Sequence, residues 1–172
     1  MAWNIDQSHT DVGFAVKHMM ISTVRGKFTR YSADIQIDPA NLASAKVTAQ
    51  IETASVETNE EKRDGHLRSP DFFDVEKYPK MTFTSTKVTR KGDELEVTGN
   101  LKIKDQEHPI TLKGEVTGPS KDPWGNQRLG FSLDGELERE KWGLTWNQAL
   151  EAGGVLVAKK VKITIEAQLV QS

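Results

Sequence analysis

The chain has 172 residues, 25 acidic and 23 basic side chains and so a formal net charge of −2, with 36% hydrophobic residues, 28% charged residues and no cysteine. That is one domain's worth of chain with enough apolar material for a core, and its near-neutral balance argues against a basic nucleic-acid footprint. No run approaches the ~18 consecutive apolar residues of a membrane span, and the lack of cysteine removes disulfides, thiolate metal sites and cysteine nucleophiles.

Residues 1–172 read as a single domain, without internal repeat, low-complexity tract or linker. The opening Met1-Ala2-Trp3-Asn4-Ile5-Asp6 has neither the basic nor the apolar region of a secretory signal. The expectation is a cytoplasmic protein, or a periplasmic one if a leader was removed.

In chain order, period-two alternation of apolar and polar residues predicts eight strands, each with one dry face. Residues 11–18 carry Val12, Phe14 and Val16 on that face, residues 29–37 carry Tyr31, Ala33, Ile35 and Ile37, and residues 45–55 carry Val47, Ala49 and Ile51. An insertion follows. Thr58-Asn59-Glu60-Glu61 fits a capping box with Thr58 at the N-cap and Glu61 at N3, which predicts a short helix from about 59 to 67, ended by Ser69-Pro70. The fourth strand, 81–87, bears Phe83. The fifth, 94–104, alternates most cleanly, with Leu95, Val97, Gly99, Leu101 and Ile103 inward. Residues 110–116 carry Leu112, residues 129–139 carry Phe131, Leu133, Gly135 and Leu137, and residues 160–169 carry Val161, Ile163, Ile165, Ala167 and Leu169.

Eight amphipathic strands joined by mostly short turns bury their dry faces together, either as a closed antiparallel barrel or as two packed sheets. Strands of ten to twelve residues at ~3.3 Å each make an elongated interior. The small inward residues Gly99, Gly135, Ala33, Ala49 and Ala167 would leave room in it for one slender apolar ligand.

If the strands run up and down in order, the end reached at His18 gathers the two longest connections, after Glu57 and after Arg139. Two polar residues, His18 and Arg139, continue the dry register there. They require either carboxylate partners or a polar ligand group. The insertion adds Arg63, His66 and Arg68 to the same rim, and Phe72, Phe73, Trp142 and Trp146 supply aromatics to plug or cover it. His18, Arg63, His66, Arg68 and Arg139 are therefore the head-group candidates of a cationic collar above an apolar tube.

The search for catalysis is mostly empty. There is no His-Glu-x-x-His, Gly-x-Ser-x-Gly, phosphate-binding Gly-Lys-Ser/Thr or dinucleotide glycine motif. His9 and Asp11 share a strand face without a third metal ligand, and Glu136, Glu138 and Glu140 fall on the wet register. His18 with a suitable acid could act as a general base on an apolar substrate, but nothing selects that chemistry. No catalytic residue, metal or cofactor is assigned.

Trp3-x-Ile5-Asp6-x-x-His9, Phe14-x-Val16-x-His18, Gly26-x-Phe28, the run from Arg63 to Asp74, Tyr78-Pro79, Gly99-Asn100-Leu101-Lys102-Ile103 and Arg139-x-x-Trp142-Gly143-Leu144 span the chain in order. Together they resemble the YceI-like family, whose members have a lipocalin-like antiparallel barrel. The run Arg63-Asp64-x-His66-Leu67-x-Ser69-x-Asp71-Phe72-Phe73 is the specific part. The resemblance implies an all-β, eight-stranded barrel that binds a long isoprenoid-type lipid, such as a polyprenyl phosphate or a quinone-like molecule, or another amphiphile. It also implies a homodimer. The expected function is non-catalytic binding, storage or transport of such a lipid. The alternatives are an enzyme acting on a similar substrate and a filled barrel used as an interaction module. The residues expected to line the lipid are Val12, Phe14, Val16, His18, Tyr31, Ile35, Val47, Ile51, Phe83, Val97, Leu101, Leu112, Phe131, Leu133, Ile163 and Ile165.

Overall fold

Alternating β-branched and aromatic residues with charged ones favour a pleated surface wet on one side, and such strands make up most of the chain. The computed structural model describes residues 2–148 and 156–171. Its strands are β1 (Trp3–Ile5), β2 (Asp11–His18), β3 (Ser22–Phe28), β4 (Tyr31–Gln36), β5 (Lys46–Glu52), β6 (Val56–Glu57), β7 (Lys80–Lys91), β8 (Glu94–Ile103), β9 (Gln106–Lys121), β10 (Gln127–Glu138) and β11 (Val157–Gln171). The helix α1 (Glu61–Arg68) lies between β6 and β7.

Every pairing is antiparallel, in the order β4-β5-β7-β8-β9-β10-β11-β2-β3-β6, with β1 also on β11. The structure thus has eleven strands where eight were expected. β1, β3 and β6 account for the difference, because β1 leads into β2, β3 into β4 and β5 into β6 as bent passes of chain. The two ends of the order meet on those bends: the Glu52 N–H donates to Arg30 O (3.0 Å) and the Thr29 N–H to Ser55 O (3.3 Å). Taken as eight passes, the sheet curls round into an antiparallel barrel of the lipocalin-like kind, with β4 paired to β5 on one side only.

β3 escaped the sequence reading because its inward positions are Val24, Gly26 and Phe28, and the middle one has no side chain to signal a face. The Phe14 ring lies across Gly26 from β2, and a Cβ would overlap that ring.

The helix also starts later than expected. Its N-cap is Glu60, whose carboxylate accepts from the Arg63 N–H (2.6 Å). Asn59 has φ +63° and turns the chain between Thr58 and the helix. Thr58 is therefore outside the first turn, and buried Asp64 reaches back to accept from its hydroxyl and its N–H (2.8 Å for the latter).

Taking His18 as the top, the upper rim consists of the 19–21 turn, the segment holding α1, the 104–105 turn and the stretch after Glu138. The base consists of 37–45, 92–93 and 122–126. At the base, Arg128 donates from Nε to Asp122 (2.8 Å) and from Nη1 to Asp6 (2.7 Å) and to Gln168 (2.8 Å). This ties β1, β10, β11 and the 122–126 turn together. Hydrogen bonds from Ser8, Arg128 and His9 hold the Asp6 carboxyl well below the usual carboxylate range, against the opposing effect of burial.

Candidate functional site

The alternation points about half of each strand inward, and eight such faces would fill the axis only if their volumes matched. They do not. On the side formed by β8, β9 and β10, Leu95, Val97, Leu101, Ile103, Ile110, Leu112, Val116, Leu129 and Leu133 are buried. On the side formed by β2, β4, β5 and β11, inward residues such as Val16, Ala33, Ile35, Val47 and Ile163 remain half-exposed. What they face is an internal cavity of about 630 Å³, within the ~300–1,000 Å³ range of small-molecule sites.

All sixteen residues expected to line an apolar ligand border this cavity, as do Ala33, Ala49 and Ala167. Gly99 and Gly135 do not, which corrects the expectation that they provide room. The Phe83 ring lies over Gly99, and Leu112 with the Thr111 carbonyl closes on Gly135. The vacant space is at the alanines.

The upper end carries the polar groups. Phe72, Phe73 and Trp146 border the cavity there, with Phe72 and Trp146 5.6 Å apart and His66 edge-on to both, at 5.1 and 4.5 Å. His66 Nε2 is hydrogen-bonded to Asp71 (3.0 Å). Trp142 is not part of this cluster. It is buried outside the cavity, where its indole N–H donates to Leu101 O (2.8 Å) and its ring meets His108.

Of the five head-group candidates, His18, Arg63, His66 and Arg139 border the cavity and Arg68 does not. The Arg68 guanidinium donates to Ala54 O (3.0 Å) and Val56 O (3.1 Å), which fastens α1 to the β5–β6 bend. Arg139 is also occupied. Almost wholly buried, it donates to the carbonyls of Ala158, Leu144, Trp146 and Val157 at 2.6–3.2 Å. Burial lowers its pKa from the ordinary arginine value, with neighbouring Glu140 opposing. The guanidinium groups of both arginines are satisfied by backbone carbonyls, which have no sequence signature. Arg63 keeps its place at the cavity while donating to the Thr58 carbonyl and hydroxyl (2.7 Å each).

Sequence reasoning missed Lys17, Glu60 and Lys62, exposed residues that also border the cavity and so mark its mouth between the β2–β3 hairpin and α1. Lys17 sits on the wet register of β2, and only a long aliphatic stem brings it to the opening. His9 lies at the base, bonded to Asp6 (2.8 Å), far from this mouth. Among the described residues no three His, Asp or Glu side chains gather as a metal set, and no helix is long and apolar enough to cross a membrane.

A profile for the YceI-like domain matches residues 3–169. The chain is 43% identical over 167 residues to a UPF0312 protein of Staphylococcus epidermidis, covering 96% of this chain and 95% of that protein. It is similar to the crystal structure of the Campylobacter jejuni YCEI protein, with TM-score 0.78 and 36% identity over 97% of this chain and 96% of that one. It also shares its fold with a polyisoprenoid binding domain from Saccharophagus degradans, with TM-score 0.69 and 15% identity over 98% of both chains.

Proposed function

The chain belongs to the YceI-like domain family, and from that premise we propose that its barrel is a non-catalytic binding protein for one long apolar lipid of the isoprenoid class. The observation that carries this reading is the hollow side of the barrel, where aliphatic side chains stand half-exposed around about 630 Å³ of unfilled space. Removing a lipid tail and these side chains from water yields ~25 cal/mol per Å² of apolar surface, less the ordering of a flexible chain. Most of the lining is apolar and its charged residues stand at the mouth, with hydroxyls lower down only from Thr10, Tyr31 and Ser32. The tail therefore enters first, with the head group left among Lys17, Lys62, Arg63 and His66. Those cations favour an anionic or strongly hydrogen-bonding head, such as a phosphate or a quinone carbonyl. A polyisoprenoid-binding domain with the same fold supports the choice of ligand class. On this reading the protein stores or transports its lipid.

The test is organic extraction of the purified protein with mass spectrometry of the extract, followed by titration with farnesyl and longer isoprenoids. A co-purifying isoprenoid and saturable binding are expected. Ala49→Trp, which fills the hollow, should weaken binding at least tenfold while the protein stays folded. Empty extracts from several hosts, with no isoprenoid binding, would overturn the reading.

A further inference from the structure

The β2–β3 turn places three large apolar residues in succession at the tip of a hairpin. Met19 is 45% exposed, Met20 65% and Ile21 82%. Among the described residues only Trp124, at the opposite end of the barrel, is a comparably exposed large hydrophobic. Met19 and Met20 both have positive φ, +53° and +62°, and the Ile21 N–H closes the turn on His18 O (3.3 Å). A hairpin turn of this kind favours asparagine and glycine, because a Cβ is disfavoured in the left-handed region. Two methionines occupy it instead. Both are exposed, so burial in the core does not explain them.

The tip is continuous with the mouth of the cavity. Val16, Lys17 and His18 below it border the opening, and so do Leu156 and Val157, which face the hairpin from β11 through the Met19 N–H to Leu156 O bond (2.7 Å) and the Val157–His18 pair. Exposed cations stand behind the tip: Lys17 and Lys62 flank the mouth with Arg63, and Lys159 and Lys160 follow on β11, while the acids of the same upper rim are Glu60, Glu61, Asp71, Glu138 and Glu140. None of those five cations is in a salt bridge among the described residues.

We propose that the β2–β3 tip is a membrane anchor. Met19, Met20 and Ile21 enter the head-group region of an anionic bilayer, and the lysines behind them meet its negative surface. The occupant is a lipid surface rather than a protein pocket because the apolar element is a narrow projecting tip with a cationic skirt, not a broad flat patch. Docked in this way, the mouth lies against the lipid, and a tail can pass between bilayer and barrel without crossing water. The inference rests on the lipid-binding reading above for its purpose and on the hairpin alone for its geometry.

The test is co-sedimentation with vesicles of phosphatidylcholine and phosphatidylglycerol at 3:1, against vesicles of phosphatidylcholine alone. The protein should bind the anionic vesicles, and salt should weaken that binding. The triple variant Met19→Asn, Met20→Gly, Ile21→Thr should bind at least tenfold more weakly with an unchanged or higher Tm, because its residues suit the turn. Its affinity for a soluble farnesyl probe should match that of the parent, since the three side chains do not border the cavity. Equal vesicle binding by parent and variant, or none by the parent, would overturn the anchor. So would a parent dimer that the triple variant splits, which would make the tip a self-association surface. Vesicle binding without farnesyl binding would uphold the anchor and sink the lipid-carrier reading instead.

Discussion

Leu101, Leu112 and Leu133 come from β8, β9 and β10, and Val16, Ile35 and Ile163 from β2, β4 and β11. All six arise from the same period-two alternation and border one cavity, yet the first three are buried and the last three are half-exposed. The β8–β10 side is dense with its own buried residues, among them Leu129, Leu137 and Val116. The β2–β4–β5–β11 side has small residues interspersed, at Ala33, Ala49 and Ala167, and faces vacancy. Alternation decides which face a residue takes. Volume around the ring decides whether that face meets protein or space.

The strongest way to break the contrast is at Arg139, where the end of β10 is joined to the start of β11. Arg139→Met abandons four backbone carbonyls held by a buried cation. It should lower stability by more than about 3 kcal/mol, since each charge-assisted bond contributes ~1.5–3 kcal/mol. A melt showing less than about 1 kcal/mol of loss would mean that water replaces the guanidinium at this joint.

A matched pair of truncations sharpens the comparison. Leu129→Ala, at 1% exposure on the solid side, should cost about 2–5 kcal/mol through lost transfer energy and a new cavity. Ile163→Ala already faces a void, so it forfeits only part of the transfer term and should cost under about 1.5 kcal/mol. Urea unfolding of both, with similar m-values, measures the difference. Equal losses would show that the hollow side is packed in solution.

The smallest effect concerns acid. The Asp6 and Asp122 carboxyls are both held below the ordinary range, Asp6 chiefly by Ser8 and then Arg128, and Asp122 chiefly by Arg128. Carboxylates with depressed folded pKa values contribute fully above the unfolded value near ~4 and lose that contribution as pH falls. Arg128→Met should therefore lower Tm modestly at pH 7 and progressively less below pH ~4. A parallel shift at all pH values would assign the loss to packing instead.

Much of this molecule was legible in its sequence, because period two leaves only two faces and an apolar run must choose the dry one. The inward positions of β2, β4, β5 and β7 to β11 follow from that alone. β3 was hidden by Gly26, whose missing side chain interrupts the alternation so that the Phe14 ring can lie there. The helix cap was misread because Asn59 takes a left-handed turn, which moves Thr58 out of the first turn. Arg68 and Arg139 resembled free cations because their carbonyl partners belong to backbone segments that only the fold brings near. Nothing in the alternation marks residues 19–21, because their turn rests on two positive φ values that no residue pattern announces.

Trp3, Leu42, Leu95 and Leu169 are buried at the base of the barrel, which Arg128 laces to Asp6. On the proposed reading, a tail that enters past Lys17 and stops at this base would leave by the path it came. Each added isoprene unit would then lengthen the withdrawal, so dwell time would scale with chain length.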